Sequence, residues 1–450
     1  MFFSCLFVSA QEKVQPNVLL IYVDDTGYGE FSCQGNPQIP TPNIDSIAEN
    51  GVRFTQGYVT DSLCCPSRAG LMLGRHGCRV GHETNPPWGP NWKQYGLPLS
   101  EKIMANYMKD AGYATGMVGK WHLGYKPEYW PTRRGFDEYY GNLENSRSYT
   151  TPEILDSLEE NPQPKHVSEP GYFSTFAYGE RARDFIRRNQ NNPWFLYLAF
   201  YNQHAPVEEA PPGYAESFSP ETKSREAGAI ATATERSGVA TIGNPKRRIF
   251  AGMMKALDEE VGKTLAQLRE LGLEENTLIF LISDNGGPTP SNTSVNGPLR
   301  GIKITQFEGG LRVPYMMQWK GEIPEGKVYE KTVSTLDVLP TALTAAGVKI
   351  DPGWKLEGVD LIPYITGKNA GIPHETLCWR RGSYRTIRQG DWKLLFRKDH
   401  PVELYNLKDD IGEKNNLAAK FPERVQNLRL RWQEWDQQNV APLWLSGKYE

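Results

Sequence analysis

The segment Val18–Val23 reads Val-Leu-Leu-Ile-Tyr-Val, apolar at every position, and runs directly into Asp24-Asp25. A strand without polar alternation has to be buried on both faces, which calls for a sheet sandwiched between helices. Trp194–Tyr201 and Thr277–Ile282 share this texture, Ala114–Val118 is a shorter strand, and Thr277–Ile282 runs into Ser283-Asp284-Asn285-Gly286-Gly287. Helical segments lie between them. Thr41-Pro42 supplies an N-cap and a first-turn proline for a helix over Asn43–Asn50, stopped by Gly51. Lys102–Asp110 is closed by Gly112, and Met253–Leu271 carries Met254, Leu257, Val261, Leu265 and Leu268 at helical spacing before Gly272. This alternation predicts an α/β fold, a large and mostly parallel sheet covered by helices, with ligands bound beyond the C-terminal strand ends. Asp24, Asp25, His204, Asp284 and Asn285 each follow an apolar strand by a few residues, so the same rule gathers them into one site.

A chain of 450 residues has length for one large domain and a smaller one. Residues 11–370 form the expected large domain, interrupted at 206–245 by a Pro-, Gly- and Ser-rich stretch with no sustained period that reads as a long loop or lid. From about 371 the texture changes: Tyr384–Ile387 and Trp392–Phe396 read as short antiparallel strands around Gly390. Pro422–Gln437 reads as an amphipathic helix with Val425, Leu428, Trp432 and Trp435 on one side. Residues 371–450 are therefore expected to form a small α+β domain with an antiparallel sheet. Phe2–Ala10 is apolar and closes on Val8-Ser9-Ala10, small residues where a signal-peptide cleavage site has them, although no basic residue precedes it. The expectation is an export remnant at 1–10 and a periplasmic or secreted protein; the alternative is an apolar N-terminal strand. No other stretch approaches the ~20 apolar residues of a membrane helix, so a soluble mature protein is expected.

A net charge of −3 offers no general attraction for nucleic acid or an anionic membrane, so any anion site must be local. Asp24-Asp25 and Asp284-Asn285 offer only oxygen ligands, which favours calcium, or less readily magnesium, over zinc; as isolated sequence they could equally be turns. Six cysteines without a C-x-x-C pair exclude a disulfide scaffold and a structural zinc site. Within Cys64-Cys65-Pro66-Ser67-Arg68, Pro66 can open a helix whose free N–H groups, with Arg68 and Arg75, would draw an anion and activate a thiol. A buried structural thiol or a Cys64–Cys65 vicinal pair fits the residues equally well.

Cys64-x-Pro66-Ser67-Arg68 followed by Gly74-Arg75 resembles the signature of the type I sulfatases of the alkaline-phosphatase-like superfamily. Six further segments match in the family's order: Leu20–Asp25, Gly119-Lys-Trp-His-Leu-Gly124, Arg134-Gly-Phe-Asp137, His204-Ala-Pro206, Ser283-Asp-Asn-Gly286, and Lys303 ahead of Glu308–Pro314. Together they cover about residues 17–320, and Tyr405-Asn-Leu resembles the family's C-terminal region. Leu73 stands where Thr is usual and Cys65 where Ser is common, but the Cys-x-Pro-x-Arg core is intact.

The resemblance implies that a maturation enzyme converts Cys64 to Cα-formylglycine and that Asp24, Asp25, Asp284 and Asn285, with the modified Cys64 at or near the ion, hold calcium. Arg68 would orient the formylglycine, Lys120 and His122 would flank its hydrate, and His204 and Lys303 would face the sulfate and the leaving group. A family serine aligns loosely near Asn145 or Ser146. In the implied reaction the hydrate attacks sulfur, His204 protonates the departing alcohol and His122 deprotonates the remaining hydroxyl so that sulfate leaves. The expected substrate is a sulfated small molecule or glycan, since Trp88–Trp92 and Tyr125–Trp130 offer aromatic faces suited to sugar rings, or else to hinge and core packing. Phosphonate monoester or phosphodiester hydrolysis, and non-catalytic binding of a sulfated glycan, are the alternatives.

Overall fold

The computed structural model describes residues 15–87, 89–144, 148–218 and 240–444. The expected export segment at 1–10, the centre of the 206–245 stretch, Trp88, and Asn145 and Ser146 lie outside these residues. Twelve strands precede the C-terminal region: β1 (Asn17–Val23), β2 (Val52–Phe54), β3 (Gly57–Tyr58), β4 (Ala114–Gly119), β5 (Glu138–Gly141), β6 (Glu153–Asp156), β7 (Lys165–His166), β8 (Trp194–Ala199), β9 (Thr277–Ser283), β10 (Tyr315–Gln318), β11 (Lys327–Tyr329) and β12 (Val333–Ser334). Ten of them form one sheet in the order β11-β2-β10-β9-β1-β8-β4-β5-β6-β7, while β3 and β12 pair separately.

The centre, β9-β1-β8-β4-β5, is parallel, and antiparallel pairs enter at β10 on one side and β6 on the other. The sheet is thus mixed around a parallel centre. A parallel return is usually carried by a crossover helix packed on the sheet. The link from β9 to β10 contains only the four-residue helices Thr289–Asn292 and Glu308–Leu311, and the chain comes back antiparallel.

Alternate residues of β1 enter opposite cores, Val18, Leu20 and Tyr22 on one face and Leu19, Ile21 and Val23 on the other, which is why no position can be polar. Helices α1 (Pro42–Glu49), α4 (Ser174–Asn189) and α5 (Pro245–Glu270) cover one face; α2 (Cys64–Leu73), α3 (Met104–Asp110) and the helix Val338–Ala345 cover the other. Thr41 occupies the N-cap position of α1 but makes no cap bond; its hydroxyl donates to Asp45 and accepts from the Ser32 N–H. α5 begins at Pro245, well before the Met253 start that the periodicity suggested. Asn244 accepts the Lys246 N–H and Pro245 opens the first turn, so the irregular stretch ends before Pro245.

The C-terminal region holds the strands β13 (Thr376–Arg381), β14 (Tyr384–Gln389), β15 (Trp392–Phe396) and β16 (Glu403–Asn406) in an antiparallel sheet, against which the helix Pro422–Asp436 packs Leu428 and Trp432. Gly390, at φ +55°, makes the turn between β14 and β15. Among the described residues, no helix is long and apolar enough to cross a membrane.

Candidate active site

Four adjacent parallel strands deliver the site from their C-terminal ends. β1 leads into Asp24-Asp25, β9 into Asp284-Asn285, β4 into Lys120 and His122, and β8 through Tyr201 to His204. Backbone bonds tie these exits together: the Asp284 N–H donates to the Val23 carbonyl, the Asp24 N–H to Asn202, and the Lys120 N–H to Ala199. β4 and β8 approach so closely that a Cβ on Gly119, at φ +109°, would lie 1.9 Å from the Ala199 oxygen. Asp25 and His122 are themselves left-handed, at φ +54° and +59°, a conformation uncommon outside glycine and a mark of strained, function-bearing backbone.

Three carboxylates meet three cations here. Lys120 Nζ lies 2.5 Å from Asp24 Oδ2, and Lys303 Nζ lies 2.6 Å from Asp25 Oδ1. The Arg68 guanidinium donates to Asp284 Oδ2 through Nε and Nη2 (3.1 and 2.8 Å) and through Nη1 to the Lys120 carbonyl at 3.1 Å; Nη2 also approaches Asp24 at 3.5 Å. Asp24, Asp284, Arg68 and Lys120 are fully buried. Asn285 Nδ2 donates to Asp25 Oδ1 at 2.7 Å, leaving its own Oδ1 and the Oδ1 of Asp24 buried without a hydrogen-bond partner. Orphaned buried oxygens are expensive, and two of them beside Asp25 and Asp284 fit a hard divalent cation. Asp24, Asp25 and His204 bring ligand atoms within 4.8 Å of one another.

Cys64 is the first residue of α2, so Pro66 stands third in the helix, where its missing N–H is still no loss. No side chain caps the helix from Leu63; instead Asn85 accepts the Cys65 N–H at 3.2 Å and lies 3.7 Å from the Cys64 sulfur. Cys64 is buried, within electrostatic reach of Lys120, Lys303, Asp24 and Asp284. Cys65 donates to the His122 carbonyl at 3.0 Å and faces His82 at 3.6 Å, and both thiols are free. The pair is therefore not a vicinal disulfide. Arg75 does not join Arg68 at the helix start: it sits past the opposite end of α2, paired with Glu101.

The Sulfatase family model matches residues 16–348. The chain belongs to the sulfatase family. It is 33% identical over 405 residues to N-acetylgalactosamine-6-sulfatase of Canis lupus familiaris, an alignment covering 85% of this chain and 72% of that protein. To arylsulfatase A of Homo sapiens it is 32% identical over 475 residues, covering 92% and 86%. The crystal structure of Ps i-CgsB superposes with a TM-score of 0.83 at 31% identity over 96% of each chain. A second structure of that protein is in complex with k-i-k-neocarrahexaose, again at 0.83 and 31%, covering 97% of this chain and 95% of that one. The fold is alkaline-phosphatase-like, and the protein is an enzyme, a sulfuric ester hydrolase.

In this sulfatase burial opposes ionisation of Asp24, but Lys120 first, then His204, Arg68 and Lys303, hold its carboxyl well below the usual range. Burial and the negative charge of Asp24 push Asp284 up to about 7, against Arg68 and Lys120. Burial and Lys303 push His204 down to about 4, with Asp25 opposing. Its Nδ1 lies 2.6 Å from the Ala205 carbonyl and 2.8 Å from the Tyr201 hydroxyl. A carbonyl can only accept, so Nδ1 carries the proton and Nε2, 3.7 Å from Asp25, is the exchanging atom. Burial, Lys120 and Arg68 keep His122 neutral. Glu144, 3.7 Å from His122 Nε2, is pushed up to about 8 by burial and is uncharged at neutral pH, so the two do not form an ion pair.

The residues expected from the sequence to bind metal or act in catalysis are brought together here, but several that shape the site were not singled out: Asn85, Glu144, Tyr201, and Arg381 of β13. Arg381 is fully buried and donates to Asp61 Oδ1 and Ser62 Oγ, both at 2.9 Å, and to the Ile304 carbonyl. It ties the loop before Cys64 to the turn after Lys303, and Asp61 in turn accepts the Leu63 N–H at 2.9 Å. Arg381 stands 320 residues from Asp61 in sequence, and no local signal marks it.

Proposed function

We propose that this sulfatase hydrolyses a sulfate monoester on a carbohydrate, with Cys64 converted to Cα-formylglycine and a calcium ion held by Asp24, Asp25, Asp284 and Asn285. The observation that carries the reading is the convergence of Cys64, at the head of α2, with three carboxylates, three cations and the two orphaned oxygens of Asp24 and Asn285. Formylglycine would supply a geminal-diol nucleophile and calcium would supply positive charge against the sulfate oxygens.

The chain's own residues supply the rest. The three carboxylates are already matched by Arg68, Lys120 and Lys303, so a bound divalent ion leaves the centre net positive, as capture of an anion demands despite the acidic whole chain. Lys120 and Lys303 would bind sulfate oxygens, and Arg68 fixes Asp284 and the β4 exit. An arriving sulfate ester offsets Lys303 and Lys120 at His204 and so raises its proton affinity, letting Nε2 protonate the leaving alcohol. His122, buried and neutral, would act as the base toward the modified Cys64. The complex of Ps i-CgsB with a neocarrahexaose supports a carbohydrate substrate.

The test is mass spectrometry of the Cys64 peptide from the native host, combined with kinetics on aryl sulfate and aryl phosphodiester. An aldehyde in place of the thiol and a preference for sulfate are expected; an intact thiol in active protein, or a preference for the diester, refutes the reading. Cys64→Ser is expected to retain little turnover, and full multiple turnover in that variant would sink the role given to formylglycine.

A further inference from the structure

A cleft of about 480 Å3 opens between the turn that follows Lys303 and the outer end of the C-terminal sheet, within the size range of small-ligand sites. Ile304 and Gln306 line one side, and Tyr384, Thr386, Arg397 and His400 the other. Arg397 is a guanidinium without a carboxylate partner among the described residues. Its Nη1 donates to the Tyr384 hydroxyl at 2.7 Å and its Nη2 to His400 Nδ1 at 2.8 Å, with the group 4.8 Å from the centre of the Tyr384 ring. Those two bonds leave most of the fork's donors available to an anion. Receiving a hydrogen bond at Nδ1 leaves His400 with a donor at Nε2. Glu403, the carboxylate in the lining, is engaged by Arg300 and Tyr405.

A second observation points the same way. Gln306 is 2% exposed; its Oε1 accepts from Thr386 at 2.6 Å, but its Nε2 is buried with no partner. An unpaired buried donor is costly, and this one belongs to a residue of the cleft wall. The cleft also shares a wall with the active site. Ile304, 43% exposed and held at φ +81°, directly follows Lys303, and Arg381 holds its carbonyl while lying 5.6 Å from the centre of the Tyr384 ring.

We propose that this cleft is a second anion subsite, which takes the sulfate or carboxylate of a sugar neighbouring the one being desulfated, so that the enzyme acts on polyanionic oligosaccharides. The inference rests on the carbohydrate-sulfatase reading above.

The experiment measures inhibition of 4-nitrophenyl sulfate hydrolysis by a carrageenan hexasaccharide, carrying sulfate, and a hyaluronan hexasaccharide, carrying carboxylate only. At least one should inhibit, and whichever does identifies the anion. Arg397→Ala should raise that inhibition constant about 10- to 100-fold, the loss expected of a charged hydrogen bond. It should leave kcat and KM for 4-nitrophenyl sulfate unchanged, which also shows that the variant folds. Arg397→Lys, keeping the charge without the fork, should fall between. If neither oligosaccharide inhibits, or Arg397→Ala is inhibited as strongly as the wild type, the subsite is refuted. Failure of the underlying reading appears separately, as formylglycine-bearing enzyme that turns over no sulfate ester.

Discussion

Replacing Arg381 by methionine removes a buried guanidinium but keeps most of its volume. Asp61, 3% exposed, is pushed up to about 6 by burial even with Arg381 beside it, so its ionisation at pH 7 already costs about 3 kcal/mol. Without Arg381 its carboxyl keeps only backbone N–H donors in a low-dielectric site, while Ser62 and the Ile304 carbonyl lose a partner. Breaking a buried pair from one side costs about 3–5 kcal/mol, and that loss is expected in guanidinium unfolding of Arg381→Met at about pH 8. The sign of the pH effect follows. The folded variant binds a proton at Asp61 that the unfolded chain, titrating near 3.8, releases, so its deficit narrows as the pH is lowered toward 6. Because Arg381 joins the loop before Cys64 to the turn after Lys303, a displacement on the order of 1 Å is expected to lower kcat about 100-fold. Asp61→Asn in the same chain should restore part of the stability, since a neutral amide needs no counter-ion. Wild-type stability and kcat in Arg381→Met, or single and double effects that add to within about 0.5 kcal/mol, would refute the argument.

Asp284→Asn is expected to lower calcium affinity at least about tenfold by titration calorimetry, since it removes a charge from the ligand set and the partner of Arg68. His204→Ala should slow a sugar sulfate by about 100-fold or more and 4-nitrophenyl sulfate far less, because a poor leaving group needs the proton most; equal losses would remove His204 as the acid. His82 is fully buried and pushed down to about 4 by burial, so the folded protein binds fewer protons there than the unfolded chain between pH 6.5 and 4. Stability should therefore fall by about 3 kcal/mol across that window on its account, and His82→Gln should lose that part of the acid sensitivity in unfolding measured at about pH 7 and 4.5.

The strands and their acidic ends were legible because they are local: β1 and β9, buried at every position, leave an unbroken apolar run, and the chain exit beyond each must carry the polar chemistry. The short strands β2 and β10 were not, since three and four residues carry too little pattern to be told from any fragment and acquire their direction only from the connections around them. Arg381 was illegible for a different reason: its partners come from two loops remote in sequence, and a buried charge leaves no periodic trace. The expectation of a small C-terminal α+β unit likewise said nothing of where its side chains go. Leu377 and Trp379 of β13 enter the same core as Val18 and Leu20 of the central strand, and the Trp379 indole donates to the Val59 carbonyl at 2.8 Å, just ahead of the loop that Arg381 holds. One strand thus packs into the main core through alternate residues and, through Arg381 at its end, fixes the approach to Cys64 and the turn beyond Lys303. The C-terminal sheet is therefore part of the apparatus that positions the active site, and its outer end forms the wall of the cleft that Arg397 lines.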